Sequence, residues 1–224
     1  MRPIRRVWIT RAEPGAARTA ARLAALGFEP LVQPLLAIRP LAPVAPDLTG
    51  TAALAFTSRN GVEAFAALSE ARALPVFTVG DATAAAASAA GFASVRSAAG
   101  ALEDLARLLA AAAPGPVLAP GALEPAGDLA ALLAGRVEVR ALPVYQAVAT
   151  GAGAPAAFDA VLVHSPRAGR ALAALGPFAG QSAAAISEAA AAPLRSVSGL
   201  EIRVAARPDE AALLEALGKP APRV

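Results

Sequence analysis

Hydroxyl and guanidinium side chains at recurring places, with one tyrosine and one histidine, are the groups of this sequence that could do chemistry. Thr10 and Arg11 close one apolar run, Thr57, Ser58, Arg59 and Asn60 close another, and Gly80 and Thr83 follow a third. In the second half Ser165, Pro166 and Arg167, and then Ser187 with Glu188, stand in like positions. Hydroxyls and helix-starting N–H groups hydrogen-bond carboxylates with little side-chain charge, and arginine holds them bidentately, so the set suits a polyanionic ligand. Ser, Thr, Asp and Asn before a helix also cap it, whatever else they do. Asp81, opening DATAAAASAAG, reads as a plain cap, whereas a cap needs no arginine and Arg11 and Arg59 are the better contacts. Tyr145, the single tyrosine, lies in ALPVYQAV, where a phenol either donates a proton to a leaving hydroxyl or packs as an aromatic strand residue.

Other chemistries are excluded by what is missing. The chain has no cysteine, which removes disulfides, thiolate metal sites and thiol nucleophiles. His164 is the single histidine; it offers no zinc site, and since neighbours on a strand face opposite ways it does not pair with Ser165, so it reads as structural. Neither GxxxxGK[ST] nor a GxGxxG after the first strand occurs, which disfavours nucleotide chemistry, and TRAEPGAAR is no flavin phosphate loop. Net charge is +3, from nineteen Arg and one Lys against 17 acidic residues, which suits an anionic partner. The arginines are dispersed and aromatics make up only 4%, so nucleic acid is not the expected partner. The uncharged stretch from Leu108 to Leu123 is broken by Pro114, Gly115, Pro116 and Pro120, and MRPIRRVWIT lacks the apolar core of a secretory signal. A cytoplasmic protein that neither spans nor binds a membrane is expected.

The elements that must position these residues follow from periodicity. Val7 to Thr10 reads as a strand, Ala16 to Leu26 as a helix stopped by Gly27, and Pro30 to Ile38 as extended chain. Ala53 to Thr57 with Asn60 to Leu68, and Pro75 to Val79 with Thr83 to Ala90, add two more strand–helix pairs, the pattern of an α/β protein with parallel sheets. The second half repeats the first: Ser58 and Gly80 are 22 positions apart, Ser165 and Ser187 are again 22 apart, and VWITRAEPG has a counterpart beginning at Val117. Self-similarity at a fixed offset implies a duplicated module, hence two α/β domains of similar build. Pro34 to Pro46 and Pro143 to Pro155, without helical period, read as linkers. Two consecutive domains, or one domain made of both chain ends and another of the middle, both fit.

The succession VWITRAEPGAARTAARLAALGFEPLVQPLLAI, LAFTSRNGVEAF, VFTVGDATAAAASAAGF, LPVYQAV, VLVHSPRAG and AARPDEAALLEAL resembles the uroporphyrinogen-III synthase family over nearly the whole chain. The resemblance implies two flavodoxin-like parallel-sheet domains joined by a two-stranded linker, one of residues 1–36 plus 149–224 and the other of 39–146. It implies hydroxymethylbilane, a linear octacarboxylate tetrapyrrole, bound in the cleft between the domains without cofactor or metal. It further implies a monomer, with the preceding pathway enzyme as a transient partner. Tyr145 matches the family's linker tyrosine, the expected acid for hydroxyl departure, and Ser58 and Ser165 match strand-end serines near the substrate. The chain departs from the family at Ser187-Glu188-Ala189-Ala190, where a glycine turn and threonines are usual. That departure favours the rival expectation, a non-catalytic two-domain binding module for an anionic metabolite; the retained Tyr145 speaks against it.

Overall fold

The computed structural model describes residues 4–41 and 45–221. Residues 42–44 of the proline-rich stretch, and 1–3 and 222–224 of the expected first domain, lie outside the described residues. The chain forms two compact units, one from Met1–Ala37 with Val148–Val224 and one from Ile38–Ala147.

In chain order the elements are β1 (Arg6–Ile9), α1 (Gly15–Ala25), β2 (Glu29–Val32), β3 (Leu36–Pro40), β4 (Ala53–Phe56), α2 (Arg59–Leu68), β5 (Val76–Thr78), α3 (Asp81–Ala89), β6 (Val95–Ser97) and α4 (Leu102–Ala112). They continue as β7 (Val117–Ala122), α5 (Leu129–Leu133), β8 (Val139–Ala149), β9 (Ala160–Val163), α6 (Pro166–Ala173), β10 (Gln181–Ala185), α7 (Glu188–Ala191), a 3-10 turn Ala192–Leu194, β11 (Leu200–Val204) and α8 (Glu210–Glu215).

The first unit holds a five-stranded sheet in the order β11-β10-β9-β1-β2. Its pairings are parallel, with Val7 opposite Ala160 and Pro30. Read from β2, this is the doubly wound order 2-1-3-4-5 of flavodoxin-like folds. Strands covered on both faces read as unbroken apolar runs, and β1 and β9 are buried at nearly every position. Alternation along β1 divides the core. Trp8 joins Val161, Val163, Leu172 and Leu194 on one face, while Val7 and Ile9 join Leu23, Leu162 and Leu213 on the other. The inward stripe of α1 is Ala16, Thr19 and Leu23 at helical spacing, and Gly27, at φ +90°, supplies the left-handed residue after the helix.

In the second unit the order is β3-β8-β7-β4-β5-β6. Apart from β3 at the edge, β8-β7-β4-β5-β6 matches β2-β1-β9-β10-β11 position by position. The counterpart of β1 is thus β7, beginning at Val117. In chain order the second unit is a circular permutation of the first, and the duplication is visible in space. Its core is again split by a sheet, with Ala53, Ala55, Phe77 and Leu105 on one face and Leu54, Phe56, Phe65 and Val76 on the other.

Two local readings are corrected by the structure. The extended segment Pro30 to Ile38 is two strands rather than one, because Gln33 and Leu35 turn to bond the end of β1: Leu35 N–H donates to Thr10 O at 2.9 Å, and Trp8 Nε1 donates to Gln33 O at 2.7 Å. The N-cap of α3 is Gly80, not Asp81, which occupies the first helical turn where its charge favours the helix dipole.

The helices α2 and α6, which follow β4 and β9, pack their first turns against main chain through a glycine. A Cβ on Gly61 of α2 would lie 2.7 Å from Pro120 O, and one on Gly169 of α6 would lie closer still to Ala190 O. A backbone carbonyl cannot step aside as a side-chain tip does. We expect Gly169→Ala to destabilise the first unit by about 2 kcal/mol, read as a lower denaturant midpoint; an unchanged midpoint would show that α6 can shift away without cost.

Candidate functional site

Ligands of open parallel sheets sit beyond the carboxyl ends of the strands, where the strand order reverses. In the first unit that point lies between β1 and β9, and in the second between β7 and β4. The polar positions singled out by the sequence follow the carboxyl ends of β1, β9 and β10 in the first unit and of β4 and β5 in the second.

In the second unit, β4 ends at Phe56 and exposed Thr57 leads to Ser58. Ser58 is extended (φ −156°, ψ 155°) and caps α2, its Oγ accepting from Gly61 N–H at 3.1 Å. The same Oγ lies 2.9 Å from the Tyr145 hydroxyl. Tyr145 stands on β8 opposite Ala122, where the register of β7 and β8 shifts, and Leu123 N–H donates to its carbonyl at 2.8 Å. β7 lies between β8 and β4, so the phenol reaches across a strand end made of Gly121 and Ala122, which have no bulk to stop it. The residue is 7% exposed. Arg59 and Asn60 open α2, half-buried. Gly80 precedes α3 and its carbonyl accepts from Thr83 N–H at 3.0 Å, while Thr83 itself is buried.

In the first unit Ser165 caps α6, accepting from Ala168 N–H at 3.1 Å, with Pro166 as the first helical residue. Arg167 follows, half-buried. Ser187 caps α7, accepting from Ala190 N–H at 3.3 Å. The carboxylate of Glu188, which would repel an anion, is ion-paired with Arg195. Thr10 is fully buried and its hydroxyl donates to Leu162 O at 2.7 Å, so it ties β1 to β9 rather than facing solvent.

Arg11 has a partner the sequence reading missed. Its guanidinium donates to Glu210 at 2.8 Å, and the other oxygen of that carboxylate accepts from the Thr19 hydroxyl. His164, with a side chain 8% exposed, brings Nε2 to 3.5 Å from the same carboxylate. Two signals for this cluster were present: Asp209-Glu210 opening the last helix, and Thr19 on the inward stripe of α1. Burial would raise the Glu210 carboxyl, but the contacts from His164 and Thr19 and the Arg11 charge outweigh it and hold it at about 2. Burial pushes the His164 imidazole down, against the pull of Glu210.

Both groups make the first unit acid-sensitive. A histidine whose folded affinity for protons is depressed costs stability as pH falls below its unfolded value of 6.5, because the unfolded chain then binds the extra proton. A carboxyl depressed from 4.5 to about 2 contributes stability that is full above 4.5 and is lost as pH falls toward 2. Between 6.5 and 4.5 only the histidine acts. We expect the thermal midpoint to decline over that window in the parent protein and to stay flatter in His164→Leu, as followed by circular dichroism; equal slopes would remove His164 from the acid response.

Among the described residues no helix is long and apolar enough to cross a membrane, and no group of three or more His, Asp or Glu could hold a metal ion. No curated protein matches the chain in sequence. Its structure is similar to that of a mutant uroporphyrinogen III synthase from the extremely thermophilic bacterium Thermus thermophilus, with a TM-score of 0.55 and 19% identity over 96% of this chain and 90% of that one. The wild-type Thermus enzyme in another crystal form is similar at a TM-score of 0.45, with the same identity and coverage. The first likeness concerns the fold; the family is shown by the sequence. Residues 17–215 match the family described as "Uroporphyrinogen-III synthase HemD", and the chain belongs to that family.

Proposed function

We propose that this protein is the lyase that cyclises hydroxymethylbilane to uroporphyrinogen III, with loss of water and inversion of the terminal pyrrole ring. The observation that carries the reading is the family match over residues 17–215. The strand ends described above fit the substrate: capped helix starts, hydroxyls and arginines suit a flexible octacarboxylate.

In this reading Tyr145 protonates the departing hydroxyl. The C–O bond breaks, water leaves, and the pyrrole nitrogen lone pair stabilises the resulting azafulvene cation. The cation attacks the substituted carbon of the last pyrrole, and the spiro intermediate fragments and recloses with that ring inverted. Loss of the C–H proton at the closing carbon restores aromaticity and returns a proton to the phenolate, so the net change is loss of one water. The substrate cyclises in water without inversion, so the enzyme's main contribution is to hold a bent substrate with one site of attack in reach. Thr57, Arg59, Asn60, Gly80 and Thr83 in the second unit, and Ser165, Pro166, Arg167 and Ser187 in the first, are our candidates for holding its carboxylates. Thr10 and Arg11 act behind them by fixing the end of β1. We further propose a cytoplasmic monomer that meets the preceding pathway enzyme transiently.

Supplied with enzymatically generated hydroxymethylbilane, the protein is expected to yield mostly the type III isomer after oxidation and chromatographic separation, in proportion to protein concentration. Type I alone, at the spontaneous rate, would refute the synthase reading. In the same assay Tyr145→Phe is expected to lower turnover by about tenfold or more with the fold intact; near-normal turnover would remove the phenol from the chemistry.

A further inference from the structure

We propose that Ser58 is a positioning residue for Tyr145, handing the phenol its hydrogen-bond partner so that the phenolic proton is left for the substrate. The inference rests on the reading of Tyr145 as the acid, and concerns what makes that acid competent.

A serine hydroxyl carries one donor and two acceptor sites. At Ser58 one acceptor site is taken by Gly61 N–H at 3.1 Å. The remaining contact is the Tyr145 hydroxyl at 2.9 Å, for which either oxygen can be the donor. If the phenol donates to Ser58, its proton points away from any substrate. If Ser58 donates to the phenol, the phenolic proton is free and the phenolate left after proton transfer already has a donor in place. The second arrangement is the one the cap favours. Accepting from an N–H at the positive end of α2 draws electron density from Oγ, which makes the serine O–H a better donor and a poorer acceptor. A hydrogen bond to a charged oxygen is also worth more than one to a neutral oxygen, so the contact strengthens as Tyr145 gives up its proton, which is the condition for lowering a barrier.

The surrounding structure holds this geometry. The first turn of α2 cannot move toward β7, because Gly61 already sits against Pro120 O. Tyr145 in turn is held by the parallel pairing of β8 with β7 through Leu142 and Pro143. The equivalent serine of the first unit, Ser165, caps α6 in the same backbone conformation, but the single tyrosine of the chain belongs to the second unit. Of the two equivalent capping serines, Ser58 and Ser165, Ser58 is the one joined to Tyr145.

Glycine caps a helix almost as well as serine and has no hydroxyl, so Ser58→Gly separates the two roles. With hydroxymethylbilane as substrate, Ser58→Gly is expected to lower kcat by about tenfold with KM little changed, and Ser58→Thr, which restores the hydroxyl, to recover most of it. Asp128→Ala removes the cap of α5 in the same unit; it is expected to lower the unfolding midpoint without the loss in kcat. The inference is overturned if Ser58→Gly retains full kcat, if its loss appears in KM alone, or if Ser58→Thr fails to rescue. Failure of the underlying reading looks different: Tyr145→Phe would then turn over normally, or the parent protein would form only the type I isomer.

Discussion

Every helix that follows a central strand begins with amide groups that have no partner within the helix, and this requirement organises both units. Ser58, Ser165 and Ser187 supply side-chain oxygens at the starts of α2, α6 and α7, all with extended backbone, and Gly80 supplies only its carbonyl at the start of α3. An oxygen that caps is fixed in direction, so anything bonded to it is fixed as well. The Ser58 hydroxyl inherits its place from α2 and passes it to Tyr145. Where the end of a strand is instead tied by Thr10 to Leu162 O and by Arg11 to Glu210, the polar groups serve the join between β1, β9 and α8.

The two units solve one packing problem twice with different chain order. In both, central strands are sandwiched between apolar layers, and one helix, α6 after β9 or α2 after β4, approaches through a glycine. The chemistry of the strand ends then diverged. The first unit carries a half-buried ion pair of Arg11 and Glu210 beside Thr19 and the imidazole of His164, and the second a neutral pair of hydroxyls. Breaking a half-buried ion pair leaves one partly desolvated charge without its partner, so the first arrangement is the more sensitive to a lost member.

Much of the fold was legible in the sequence because its signals are local. Apolar runs such as AVLV and ALAF, helix stops at glycine, and serines spaced 22 apart are properties of a few neighbouring residues or of a repeat. The family was legible from the order of short motifs, and the match over residues 17–215 bears it out. Less could be read where a residue's partner is distant. Thr19 on the inward stripe of α1 and Asp209-Glu210 at the start of the last helix were visible, but nothing local pairs Arg11 with Glu210, 199 positions away. The split of Pro30 to Ile38 into two strands likewise depends on Trp8 and Thr10 bonding the segment between them, and the cap of α3 fell to Gly80 because an extended glycine carbonyl serves where a side chain was expected. The nearness of Ser58 to Tyr145, 87 positions apart, required the strand order.

The chain order of the first unit has a consequence for synthesis on the ribosome. β1 pairs with β9, so Val7 waits for Ala160 before the centre of its sheet can form. At typical elongation rates of about 5–20 residues per second, roughly 8 to 30 s pass between the two. All of the second unit, Ile38–Ala147, is synthesised within that interval. The unit begun second is therefore the first that can close, and meanwhile β1 offers Val7, Trp8 and Ile9 as an apolar strand with one edge open. During that interval a nascent chain of this design presents to chaperones three residues that later become fully buried.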